Sequence, residues 1–396
     1  MTVKELIARS KAAQEAFAFA TQEQADAAAR AICKVVYDNA EKLGPMAAEE
    51  SRMGSEQDKI AKCRNKSALI WESLKDKKSC DIINRIEERR MIEVAKPVGV
   101  VASIIPSTNP VVTPMSNGAF ALKCRNSVIF APHPRAVKCT KLLVEMFRAE
   151  LKKLGLPEDL VLGLEEVSND LTSELMSAAD MVVATGGMGM VKAAYSSGKP
   201  AIGVGQGNVQ CIIDEDADIA DAVGKIIIGR AFDNGLICLG EQTVFVPEDK
   251  EAEFVAEMKK QGGYLVEGEE NVDKLREGLF PGGDAFSRVV VGMFADQVSD
   301  EIGLGAPKGT RVLFAKAKAL GAGDVLCREK LCPVIAYMTY KTFKEGVAMM
   351  EANLEHEGKG HSIAVHSNTP ENVEYAAIRC CVSRVVVNQP SGTTGG

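Results

Sequence analysis

Cys238 closes the run Asn234-Gly235-Leu236-Ile237-Cys238, between a predicted helix and a β-branched segment at 243–247. A cysteine after two aliphatic residues is by default a small buried hydrophobe. Gly235 and Gly240 beside it, and its place at a junction where binding sites collect, set it apart from the rest of the chain's 11 cysteines. A thiol there could serve as a nucleophile, given a route to its thiolate, and His361 and Glu329 are candidate neighbours. A second pattern, Pro106-Ser107-Thr108-Asn109-Pro110, closes a predicted strand. Its flanking prolines stiffen the turn and could aim the Asn109 amide at an oxyanion; the plainer alternative is an asparagine that caps the turn. The third pattern, Thr185-Gly186-Gly187-Met188-Gly189, follows a strand and opens a helix. Glycines there let backbone amides approach an anion at the positive end of the helix. The spacing is not GxGxxG, so a tight strand-to-helix turn explains it equally well.

These residues need a scaffold of ordinary globular size. The 396 residues suggest two or three domains, and 46% hydrophobic with 26% charged residues argues against wholesale disorder. A net charge of −7 disfavours a nucleic-acid binder while leaving room for a local basic pocket. The charged N-terminus is not a signal peptide, and the longest uncharged stretch, 97–122, holds four prolines (Pro97, Pro106, Pro110 and Pro114) that exclude a membrane span. It reads as a buried strand followed by a polar loop. The odd cysteine count implies reduced thiols in the cytoplasm, and His133, His356, His361 and His366 show no zinc-type spacing with them, so no metal site is expected.

The first ninety residues read as helices, over 3–42 with a break near Thr21 and over 55–75. Strands are predicted at 98–105, 127–131, 181–185 and 209–213, alternating with helices at 137–154, 190–196 and 218–231. A second α/β unit starts with a strand at 243–247 and continues with strands at 288–292, 311–315, 333–338, 362–366 and 384–388 and helices at 251–261 and 342–354. The alternation implies βαβ units and parallel sheets. The boundary is placed between Asp233 and Asn234, giving domains 1–233 and 234–396. The chain stops on the glycine-rich SGTTGG, a poor place for a domain to finish, so a C-terminal completion is expected beyond it.

Seven segments in this order resemble the aldehyde dehydrogenase superfamily, and within it the CoA-acylating branch: AKPVGVVASIIPSTNPVVTP (95–114), FAPHPRA (130–136), VVATGGMGMVKAAYSSGKPAIGVGQGN (182–208), DNGLICLGEQ (233–242), REKLCPVIA (328–336), GKGHSIAVHS (358–367) and RVVVNQPSGTTGG (384–396). VVYDNAEK, DKIAKCRNKS and KDKK are most similar to the members that act on succinate semialdehyde. The resemblance implies two Rossmann-type α/β domains with an interdomain active site, the first binding a dinucleotide and the second catalytic. Cys238 falls at the nucleophile, Asn109 at the side-chain oxyanion donor beside the backbone N–H of Cys238, and His361 at a histidine near the reacting centre. Cofactor contacts are implied at Pro106, Ser107, His133, Pro134, Arg135, Thr185, Gly186 and Gly187, and Glu329 falls where the family holds the nicotinamide ribose.

Two departures from the family pattern carry information. Gly203 stands where hydrolytic members keep a general-base glutamate. Without that base water is poorly activated, whereas the far more acidic thiol of CoA can still discharge a thioester. Pro134 stands where many members place a glutamate on the adenosine ribose, with Arg135 and Lys138 close by, so NADP is expected, NAD being the alternative. The expected reaction interconverts succinate semialdehyde, CoA and NAD(P)+ with succinyl-CoA and NAD(P)H. An acetaldehyde or propionaldehyde acylating enzyme and a non-catalytic dinucleotide-binding protein are the alternatives. A homodimer or dimer of dimers is implied, with small-molecule partners only. No carboxylate-binding residue stands out; Arg384 and Lys192 are candidates.

Overall fold

The computed structural model describes residues 1–394; Gly395 and Gly396, the last of the glycine-rich ending, lie outside them. The chain forms two compact units. One comprises Met1–Arg52 and Glu56–Gly205, the other Met53–Ser55 and the residues from Gln206 onward. The parting therefore falls between Gly205 and Gln206 rather than between Asp233 and Asn234. The physical reason is the strand at 209–213, which pairs within the second unit's sheet.

The first unit opens with α1 (Val3–Phe17), α2 (Gln22–Asp38), α3 (Ala40–Ser51) and α4 (Glu56–Leu74). Thr2 and Thr21 start α1 and α2 with reciprocal capping boxes to Glu5 and Gln24, which explains the break expected near Thr21. An exposed two-stranded ribbon follows, β1 (Asp81–Ile86) and β2 (Met91–Ala95). Then come β3 (Val100–Ile105), α5 (Val112–Lys123), β4 (Ser127–Pro132), α6 (Val137–Lys153), β5 (Val161–Gly163), α7 (Asn169–Ala178), β6 (Met181–Thr185), α8 (Met188–Tyr195) and β7 (Ala201–Val204).

These last five strands make a parallel sheet in the order β5-β4-β3-β6-β7. β3 and β4 are buried at every residue, as strands covered on both faces must be. Val101, Ile105, Val128 and Phe130 join the core with α2, α5 and α6, while Val100, Ala102, Ile104 and Ile129 face α1 and α7. The chain starts in the middle at β3, runs to one edge, and crosses to β6. The carboxyl ends of β3 and β6 thus flank a topological switch point, where open α/β sheets bind ligands.

The second unit contains β8 (Val209–Ile213), α9 (Ile219–Ala231), β9 (Glu241–Pro247), α10 (Glu251–Lys260), β10 (Gly263–Leu265), α11 (Glu269–Leu279), α12 (Ala295–Ile302), β11 (Val312–Lys316), β12 (Val334–Tyr340), α13 (Phe343–His356), β13 (Ser362–His366), α14 (Pro370–Arg379) and β14 (Arg384–Val387). Its seven strands are parallel in the order β10-β11-β12-β9-β8-β13-β14. β12, β9, β8 and β13 are therefore consecutive neighbours, and the segments entering them share one end of the sheet.

Two expectations need correction. The polar loop expected after β3 is largely α5, whose Met115, Ala119 and Leu122 are buried at helical spacing. Pro114 lies in its first turn, where a missing N–H costs little. The strand expected at 288–292 is absent among the described residues. Val290 is buried but Val289 is exposed, and Gly292 at φ 69° turns the chain and donates its N–H to Leu331 O instead of to a strand ladder.

Candidate active site

In the first unit every segment singled out in the sequence lies at the carboxyl end of a strand. Pro106–Pro110 follows β3, His133-Pro134-Arg135 follows β4, and Thr185-Gly186-Gly187 closes β6. The Asn109 side chain does not cap α5, whose N-terminus has no side-chain cap. Its Oδ1 accepts from Lys62 Nζ at 2.9 Å, and its Nδ2 donates to Thr108 Oγ1 at 3.3 Å. Gly187 is the N-cap of α8, again with no side-chain cap, and neither Gly186 nor Gly187 takes a positive φ. A Cβ built on Gly187 or Gly189 meets nothing within 4 Å, so the backbone turn does not require these glycines. What they leave is open space over uncapped helix N–H groups, which fits an anion.

At the start of α6 the side chains of Arg135 and Lys138 are exposed, and among the described residues Arg135 makes no ion pair. The backbone N–H groups of Lys138 and Cys139 both donate to the Glu50 carboxylate, at 2.6 and 2.8 Å. A carboxylate therefore stands at this helix start although Pro134 supplies none. At Gly203, in β7, a Cβ would lie 2.7 Å from Val191 Cγ1 and 2.9 Å from Tyr195 Cε2, so a side chain there would displace these two.

In the second unit three residues singled out in the sequence, Cys238 before β9, Glu329 before β12 and His361 before β13, gather with Gly207 before β8 at the amino ends of four adjacent strands. Cys238 is exposed, between buried Ile237 and Leu239. The turn that presents it contains three consecutive left-handed residues, Asp233 (φ 48°), Asn234 (φ 52°) and Gly235 (φ 75°). Asn234 Nδ2 donates to Gly292 O at 2.9 Å and Asp233 Oδ1 accepts from Ser55 N at 3.1 Å, which holds the turn in place. Behind it the fully buried Arg230 donates to the carbonyls of Lys330 and Cys332.

Gly207 is where these parts meet. Its N–H donates to Glu329 Oε1 at 2.9 Å. A Cβ on it would lie 2.3 Å from the Cys238 carbonyl oxygen and 2.9 Å from His361 Nε2. Burial pushes the Glu329 carboxyl up to about 7, with the Gly207 N–H pulling the other way. Burial, and then the positive Arg384, lower the His361 pKa, and His361 Nδ1 is buried without a hydrogen-bond partner. His361 is thus a neutral imidazole at neutral pH, able to accept a proton.

Sequence reasoning did not single out Gly207, Glu50 or Lys62. For Lys62 a signal was available. Lys59 and Lys62 occupy the stripe of α4 that also buries Cys63, Ser67, Ile70 and Leu74, and charged residues on a buried stripe need a reason. Elsewhere, a cavity of about 360 Å³ opens around the ends of β10 and β11. Its Lys316 and Arg276 are paired with Glu251 and Asp324 at 2.8 Å, and no residue picked out in the sequence lines it. Among the described residues there is no metal-binding cluster and no helix long and apolar enough to cross a membrane.

A parallel α/β unit with open, uncapped turns at its switch point, and a second that presents an exposed cysteine with a histidine near the same glycine, have the parts that a dinucleotide-dependent enzyme working through a thiol would need. The aldehyde dehydrogenase family model matches residues 1–274, and the chain belongs to that family. It is 47% identical over 396 residues to a succinate-semialdehyde dehydrogenase (acetylating) of Clostridium kluyveri, covering all of this chain and 87% of that relative. An acetylating aldehyde dehydrogenase from Geobacillus thermoglucosidasius superposes with a TM-score of 0.94 at 36% identity, covering 100% of this chain and 87% of that one. A propionaldehyde dehydrogenase from Rhodopseudomonas palustris, solved with bound CoA and an acylated cysteine, superposes with a TM-score of 0.86 at 28% identity, covering 98% and 88%.

Proposed function

We propose that the chain is a CoA-acylating aldehyde dehydrogenase that interconverts succinate semialdehyde with succinyl-CoA. The observation that carries the chemistry is Cys238, exposed on a strained turn, with neutral His361 and Glu329 converging on Gly207 behind it. The succinyl group rests on the similarity to the Clostridium kluyveri enzyme. In the aldehyde-oxidising direction the Cys238 thiolate attacks the carbonyl carbon, and the oxyanion accepts hydrogen bonds from Asn109 Nδ2 and the Cys238 N–H. The uncapped N-terminus of α8 at Gly186 and Gly187 would hold the pyrophosphate of the dinucleotide, and Glu329, through the oxygen not given to Gly207, would accept from a ribose hydroxyl. A nicotinamide held by these residues would supply the hydride donor or acceptor for the substrate carbon. Pro106, Ser107, Thr185, His133 and Pro134 line the same carboxyl ends and border the cofactor.

His361 takes the proton of the CoA thiol, whose sulfur then discharges the thioester from Cys238. Gly203 carries no glutamate that would activate water instead. NADP(H) is the preferred dinucleotide, through Arg135. Assembly as a homodimer or dimer of dimers suits the β1–β2 ribbon, whose Met91, Ile92 and Val94 are exposed. Mixing the protein with succinyl-CoA and NADPH tests the reading. An enzyme oxidises NADPH, faster than with acetyl-CoA; no oxidation with either means a non-catalytic binder, and preference for acetyl-CoA means a short-chain acylating enzyme.

A further inference from the structure

We infer that Lys62 is a positioning residue for the reaction, fixing which way the Asn109 carboxamide faces and strengthening its N–H as a donor. The inference rests on the proposed oxyanion role of Asn109. Lys59 and Lys62 are only 3% and 4% exposed, on the face of α4 where apolar residues would otherwise sit. Burying an ammonium is costly unless its hydrogens are placed. Both ammonium groups reach one turn: Lys59 Nζ approaches Thr108 O at 3.4 Å, and Lys62 Nζ donates to Asn109 Oδ1 at 2.9 Å.

An ammonium has donors and no acceptor, so it accepts only one of the two flips of a carboxamide. Oδ1 must face Lys62 and Nδ2 must face away. One Nδ2 hydrogen goes to Thr108 Oγ1 and the other is left for an oxyanion. A cation on the amide oxygen draws density from the nitrogen, which makes that remaining N–H a stronger donor. It also adds a positive charge behind the place where negative charge develops. A lone asparagine would lose part of its catalytic value by flipping or swinging; Lys62 removes that freedom.

The test is a double-mutant cycle of Lys62→Met and Asn109→Ala, read by kcat and KM for acyl-CoA reduction, dinucleotide affinity, and the rate at which iodoacetamide alkylates Cys238. Lys62→Met is expected to lower kcat by about tenfold to a hundredfold. KM values, dinucleotide affinity and alkylation should stay within about twofold, which a general loosening of the fold would not allow. In the Asn109→Ala background Lys62→Met should cost nothing further. Lys62→Gln, which keeps an N–H donor, should recover part of the rate, and it replaces Met in the cycle if Lys62→Met fails to fold. An unchanged kcat in Lys62→Met, or a loss that multiplies that of Asn109→Ala, overturns the inference. A wild-type rate in Asn109→Ala instead overturns the oxyanion assignment itself, a separate outcome.

Discussion

Asp233 and Asn234 hold left-handed backbone without being glycines, at about 1–3 kcal/mol each. Such strain persists only where the surroundings over-determine it, and here it aims Cys238. Cys238→Ala is expected to abolish acyl transfer while leaving dinucleotide binding within about twofold, because a small exposed side chain is lost without opening the core. Turnover with acyl-CoA and equilibrium binding check this; normal turnover by the folded variant contradicts it. Gly207→Ala places a Cβ against the Cys238 carbonyl and His361 Nε2, and a backbone neighbour cannot give way as a side-chain tip can. The variant should lose about 1–3 kcal/mol of stability and about a hundredfold in kcat, because misplacement by about 1 Å costs that much. Thermal melts and steady-state rates read both. His361 carries its own pH signature. Burial and Arg384 hold its pKa below the ordinary 6.5, and the base is the neutral form. CoA-dependent turnover should therefore fall only as pH drops through a value below 6.5, and Arg384→Ala should move that limb upward. A limb at or above the ordinary value, or one unmoved by Arg384→Ala, removes His361 from the proton transfer.

At the scale of elements, legibility followed the strength of the local pattern. β6, β8 and β13 coincide with their predicted ranges because β-branched runs there end at a glycine or polar turn. The ribbon β1–β2 went unread: DIINRI and MIEVA carry charges and have no buried face to impose alternation. α5 was hidden by Pro114, and 288–292 looked like a strand because β-branching reports a preference, not a partner. The site divides the same way. Cys238, Asn109 and the Gly186-Gly187 turn stand out as local motifs, whereas Gly207 and Glu50 acquire meaning only from residues distant in sequence, and Lys62 shows locally only as a charge on a buried stripe. Glu50 bears on the proposed cofactor preference, since its carboxylate accepts from two N–H groups of α6 beside Arg135. Arg135→Ala should weaken NADPH by about 1–3 kcal/mol and leave NADH nearly unchanged. Glu50→Gln, which removes a negative charge from the same helix start, should favour NADPH over NADH. Dissociation constants for both cofactors decide; equal losses for Arg135→Ala place 2′-phosphate recognition elsewhere.

For the whole molecule the decisive question is what discharges the acylated cysteine. On the proposed reading Cys238 is the nucleophile and Glu329, bound to the Gly207 N–H, is given to the ribose, which leaves His361 as the base, while Gly203 in the other unit carries no carboxylate. A thiol that ionises easily needs far less help from a base than water does. Aldehyde oxidation should therefore run with CoA and nearly stop without it. The most direct measurement is the intact mass of the protein after succinyl-CoA is added without dinucleotide, followed by peptide mapping and a chase with CoA or buffer. The account predicts a succinyl thioester on Cys238, removed rapidly by CoA and persistent in buffer. An adduct on another residue, no adduct, or hydrolysis as fast as transfer to CoA would contradict it.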